Sequence, residues 1–118
     1  MNNYAYYLSI NGGDLKKAEQ MSFKTVQAEP KNATYLDTYA WILFMQKRFT
    51  EAKIYVDQAI KNDTDSVMNS VILEHAGDIH AQLGDTKTAL YYWHKALKIG
   101  SGNTAILEKK IRLKKYIK

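Results

Sequence analysis

The sequence predicts an all-α array of paired helices, and three observations carry that prediction. Three stretches read alike: Gly13-Asp14-Leu15-x-x-Ala18, Lys47-Arg48-Phe49-x-x-Ala52 and Gly84-Asp85-Thr86-x-x-Ala89. Their alanines lie 34 and then 37 residues apart, and a near-constant period of this size marks stacked two-helix units. Between these markers, apolar residues recur at helical rather than alternating spacing. One Pro and six Gly in 118 residues are also too few for the turns of an all-β chain. Arrays of this kind usually present a concave surface to a partner rather than a catalytic centre.

The first unit spans about residues 2–32. Its first helix is expected from about Asn3 to Ile10, its turn at Asn11-Gly12-Gly13-Asp14, and its second helix from Leu15 to about Ala28. Glu29-Pro30 stops that helix, because the residue before proline avoids the helical region. In the second unit, about 33–65, Asn32 caps a helix from about Ala33 to Gln46 with Leu36, Tyr39, Ala40 and Leu43 on one stripe. Lys47-Arg48 turns the chain into a helix from about Phe49 to Asn62, whose buried stripe is Ala52, Val56, Ala59 and Ile60. Asn62-Asp63-Thr64-Asp65 closes the unit with turn-forming residues.

The third unit, about 66–102, repeats the pattern with Leu73, Ala76, Gly77 and His80, the turn Gly84-Asp85, and then Ala89, Trp93, Ala96 and Leu97. It stops at Gly100-Ser101-Gly102. Its three extra residues make almost one helical turn and extend its first helix, with Asp65 or Ser66 as cap. The last segment, about 103–117, places Ile106, Leu107, Ile111, Leu113 and Ile117 on a broad apolar face, as a capping helix requires. Lys110 and Lys114 interrupt that face, and their alkyl stems are expected to lie along it while the ammonium groups reach water. Small residues recur at matched positions (Ala40 and Gly77; Ala18, Ala52 and Ala89; Ala59 and Ala96), which lets helices cross at about 8–10 Å. Tyr39, Leu43, Phe49, Val56 and Trp93 fill the spaces around them.

A chain of 118 residues forms one domain that buries roughly two-thirds of its unfolded surface. Its 46% apolar content and nine Tyr support a real core. The absence of Cys excludes disulfides and thiolate metal sites but leaves the compartment open between cytoplasm and periplasm or cell envelope. The N-terminal residues lack the basic and apolar regions of a signal peptide. The longest apolar run, the seven residues Tyr39 to Met45, falls far short of the roughly 20 a membrane span needs, so a soluble protein is expected. The net charge of +5 is concentrated at the end: eight basic residues between Lys95 and Lys118 face one acid, Glu108.

These residues resemble the tetratricopeptide repeat family, whose pattern runs large residue, Leu-Gly, Tyr, Ala, aromatic, Ala and a closing Pro. The third unit supplies Leu73, Ala76-Gly77, His80, Ala89, Trp93 and Ala96; the second supplies Leu36, Tyr39-Ala40, Leu43, Ala52, Val56 and Ala59. The first keeps Ala18 and Pro30 but has Ser9, Ser22 and Thr25 at packing positions. The resemblance covers about residues 2–102 and implies a right-handed α-α superhelix of three helix-turn-helix pairs plus the capping helix. In family phase Met1 falls at the third repeat position, so the chain reads as the C-terminal part of a longer bacterial-type array.

The resemblance also implies a function: non-catalytic binding of a protein or peptide on the concave face. Its groove positions map onto Asn3, Tyr4, Tyr7 and Ile10, then Thr34, Asp37, Thr38, Trp41, Phe44 and Met45, then Val71, Glu74, His75, Asp78 and Gln82. Of these, Tyr7, Asp37, Trp41, Met45, Glu74 and Asp78 are the chosen contacts. Aromatic anchors beside carboxylates suit a peptide with apolar and basic residues. The competing reading of Trp41 or Phe44 is padding at the edge of the core. The positions that would clamp a chaperone C-terminal carboxylate are Asn3, Tyr7, Thr38, Val71 and His75, which lack the required basic set, so that ligand is not expected.

Two alternatives come from other classes. The basic tail, Lys109, Lys110, Arg112, Lys114 and Lys115, could hold nucleic acid or an anionic surface, although only Tyr116 is there to stack and the charges encircle the helix. Self-association through the first unit is the other. Glu74, His75 and Asp78 lie within about one turn and with His80 invite a metal reading, but His80 sits at the large packing position, turned away from the face of Asp78 at about 100° per residue, and no His-Glu-x-x-His pairing exists. No metal and no cofactor are expected. Without Cys or a Gly-x-Ser-x-Gly turn, and with His94 lacking a patterned partner, no catalytic residue is assigned. Gly12-Gly13 and Gly100-Ser101-Gly102 are too short to cradle phosphate.

Overall fold

The computed structural model describes residues 15–63, 70–100 and 104–116. The expected helix at Asn3–Ile10, the turn before Leu15, the cap at Asp65 or Ser66, and Ile117 lie outside the described residues. The chain divides into two compact units, Met1–Asn62 and Asp63–Lys118.

The first unit contains α1 (Leu15–Ala28), α2 (Ala33–Met45) and α3 (Phe49–Asn62). Along α1, Ala18, Ser22 and Val26 follow each other at four-residue steps and form its buried stripe. Asn32 caps α2 as its sequence predicts, its side chain accepting from the Tyr35 N–H at 3.0 Å. Because α2 packs on both α1 and α3, it is buried over most of its circumference, from Leu36 to Ala40 and again from Ile42 to Phe44. The α3 stripe, Ala52, Val56 and Ala59, is fully buried, and the small side chains permit the close crossing.

The turn between α2 and α3 is closed by two reversed bonds: Lys47 N–H to Phe44 O and Arg48 N–H to Leu43 O, both 2.9 Å. The geometry requires Lys47 at φ 64, in the left-handed region. The matching turn in the second unit has the same two bonds, Gly84 to Ala81 and Asp85 to His80, with Gly84 at φ 84.

The second unit contains α4 (Ser70–Gln82), α5 (Thr86–Ile99) and α6 (Thr104–Leu113). Leu73, Ala89, Trp93, Ala96 and Leu107 form its core, with Leu90, Tyr92, Leu97 and Ile111 packed around it. Asp85 caps α5 by accepting from the Thr88 N–H at 3.2 Å, and Gly100 ends it at φ 76. The capping helix differs from the sequence expectation in its length. It ends at Leu113 rather than near residue 117, because Lys114 turns to φ 58 and the Lys115 N–H closes on the Lys110 carbonyl at 3.2 Å. Leu113 is 45% exposed and does not join the apolar face that Leu107 leads.

Candidate functional site

Asp37, Trp41 and Met45 stand four residues apart on α2 and therefore share a face. Asp37 is buried, while Trp41 and Met45 are half-buried. The Trp41 ring stacks on Phe44 at 4.6 Å and 16°, and Phe44 in turn meets Phe49 of α3 at 5.3 Å. Phe44 is core. Trp41 is thus backed by a rigid aromatic wall and keeps part of its surface accessible. Tyr7, the remaining predicted contact before α2, lies outside the described residues.

On α4 the predicted contacts Glu74 and Asp78 come together on a single cation. The Lys110 Nζ lies 2.7 Å from Glu74 Oε2 and 2.8 Å from Asp78 Oδ1. Lys110 and Asp78 are each 2% exposed. The Trp93 indole N–H donates to the same Asp78 oxygen at 3.1 Å, and the ammonium sits 5.3 Å from the centre of the Tyr116 ring. Burial pushes the Asp78 carboxyl up to about 6 against the pull of Lys110. Burial alone would lower the Lys110 ammonium, but Asp78 and Glu74 hold it above the ordinary lysine range.

The residues of the basic tail therefore differ in exposure. Lys109, Arg112, Lys114 and Lys115 are exposed, whereas Lys110 is withdrawn into the second unit. The expectation that its ammonium reaches water is corrected here: two carboxylates from α4 hold it inside, and sequence separations of 32 and 36 residues hide such pairing from a local reading.

A second polar cluster, also not anticipated, ties α1 to the α2–α3 turn. Arg48 donates to Glu19 at 2.8 Å, to Gln46 at 2.7 Å and to both oxygens of Glu51 at 2.9 and 2.6 Å. Gln46 also donates to Glu19 and to the Leu15 carbonyl, each at 3.2 Å. The Arg48 bonds hold the Glu51 carboxyl below its usual range. Burial, then Glu19, pushes the neighbouring Tyr39 hydroxyl up to about 12. Only the Arg48-x-x-Glu51 spacing was a sequence signal for this cluster.

Among the described residues, no group of three or more His, Asp or Glu is placed to hold a metal ion. His75 and His80 are buried, and Glu74 and Asp78 are engaged with Lys110. No helix of the described residues is long and apolar enough to cross a membrane. The arrangement offers a half-buried aromatic face on α2 and a buried, charge-compensated cluster against α4.

No family model matches the chain, and no curated protein does. Among solved structures, the chain is similar to the N-terminal domain of stress-induced protein-1 (STI-1) from C. elegans, with a TM-score of 0.70 at 22% identity, covering 96% of this chain and 87% of that one. The likeness establishes the fold: the chain is a tetratricopeptide-like helical repeat, all-helical and built from helices packed in neighbouring pairs.

Proposed function

We propose that this chain is a non-catalytic scaffold that binds a protein or peptide, and that the α2 face bearing Asp37, Trp41 and Met45 takes the partner. The observation that carries this reading is the state of Trp41. It stacks on Phe44 at 4.6 Å yet remains only half-buried, so part of the indole stays accessible. A large aromatic placed this way loses little conformational freedom on binding and makes an effective anchor. The neighbouring carboxylate and thioether suit a segment carrying apolar and basic side chains. A helical-repeat fold supports the same class of function.

The test is selection of a displayed peptide library on the full chain, followed by titration of the selected peptides. Trp41→Ala is expected to weaken them by at least about tenfold while leaving the melting temperature close to that of the parent, as for a hot-spot residue. Unchanged affinity with both Trp41→Ala and Asp37→Lys would show that the α2 face is not the site. Binding through the exposed tail cations would instead fall steeply with added salt.

A further inference from the structure

Lys110 is an unusual side chain to bury. It belongs to a ten-residue helix, shorter than the about 12–15 residues at which isolated helices become even marginally stable. Of its apolar side chains only Leu107 is fully buried; Ile106 and Ile111 are half-buried, and Thr104, Glu108, Lys109 and Arg112 face outward. The Lys110 ammonium is gripped by two carboxylates of α4.

Glu74 and Asp78 stand one helical turn apart on α4. Together they present two acceptors to a compact point charge, the geometry that suits a lysine ammonium with its freely rotating donors. The Trp93 bond to Asp78 comes from α5, so the site keeps one of its fixed members when α6 is absent. Tyr116, whose ring faces the ammonium, travels with the C-terminal segment and belongs to what closes the site.

We propose that α6 is an autoinhibitory latch: its Lys110 fills, from within the chain, a lysine-recognition site made by Glu74 and Asp78, and a lysine-bearing protein segment binds this unit by taking the place of Lys110. The site uses residues of the second unit alone, so neither reading depends on the other.

The probe is a single lysine capped by acetyl and amide groups, with the capped norleucine analogue as control, titrated into the full-length chain. The indole N–H resonance of Trp93 reports directly, since it is bonded to Asp78. Internal competition lowers the apparent affinity by the fraction of chains that are open. Lys110→Ala is therefore expected to bind the capped lysine at least about tenfold more tightly than the parent and to ignore norleucine. Leu107→Ala, which loosens α6 without touching the carboxylates, is expected to give a smaller gain in the same direction. Trp41→Ala is expected to leave this binding unchanged, which separates it from the α2 reading. Equal affinity in Lys110→Ala and parent, or no saturable binding by a folded Lys110→Ala chain, would overturn the latch. Should Lys110→Ala fail to fold, unchanged lysine affinity in Leu107→Ala overturns it alone.

Discussion

Replacing Gly77 by alanine is expected to destabilise the second unit, although alanine is the better helix former. A methyl group at Gly77 would overlap Trp93 Cδ1 and Nε1 and stand 3.0 Å from Cε2. Trp93 is fully buried, and its indole N–H is committed to Asp78 at 3.1 Å. The ring is enclosed and loses that bond if it rotates. Overpacking of this kind costs about 1–3 kcal/mol, and a buried donor left unmade costs about 1–3 kcal/mol more. The gain in helix propensity from Gly to Ala returns about 1 kcal/mol, so a net loss of roughly 1–5 kcal/mol follows from these principles together. Urea unfolding followed by circular dichroism measures it. The first unit suggests the internal control, because the matching positions there are Ala40 and Val56, both fully buried. Gly77→Ala combined with Trp93→Val should therefore be more stable than the two single losses added, by at least about 1 kcal/mol in a double-mutant cycle. A Gly77→Ala chain as stable as the parent, or strictly additive losses, would refute the packing argument.

Two further outcomes follow from the same structure. Burial raises the Asp78 carboxyl from 3.8 to about 6, so between those values the folded chain holds a proton that the unfolded chain has released. By linkage, the stability this group contributes is full below 3.8 and is lost as pH rises through about 6; its side-chain carbon resonance should titrate near 6, and a midpoint below 4 would contradict the assignment. Lys47→Gly should raise stability by about 1 kcal/mol, because a left-handed conformation costs most residues but not glycine, and a lower thermal midpoint would count against that reading.

Much of the fold was legible because its determinants are local and repeated. Ala18, Ala52 and Ala89 could be recognised as contact residues from spacing alone, and all three are fully buried. The bounds of α1, α3 and α5 follow from stop signals at Pro30, Asn62 and Gly100. Lys47 falls at the turn that the repeat spacing places there, but nothing in its side chain announces a left-handed residue, and nothing in Lys114 announces the stop that ends the last helix short of residue 117. The site was less legible for the same reason. Asp37, Trp41 and Met45 share a face because four-residue steps impose it, whereas the engagement of Glu74 and Asp78 depends on a lysine from a helix more than thirty residues away.

The differences between the two units can be traced to one side chain. Where α3 has Val56, α5 has Trp93, and the larger ring makes two demands on the helix it packs against. It needs the space of a missing methyl, which Gly77 gives where α2 keeps Ala40. It also needs an acceptor for its indole N–H, which Asp78 gives where α2 carries Trp41. A carboxylate fully enclosed beside an indole is costly unless a cation accompanies it, and the cation is Lys110. The buried lysine of α6 is thus the last step in a series that begins with a valine-to-tryptophan difference between repeats. The same series explains why the shared repeat position is an aromatic surface in the first unit and a closed ionic cluster in the second. A partner that engages Trp41 finds its anchor in place, while one that engages Asp78 must bring a cation of its own and compete with the one already there.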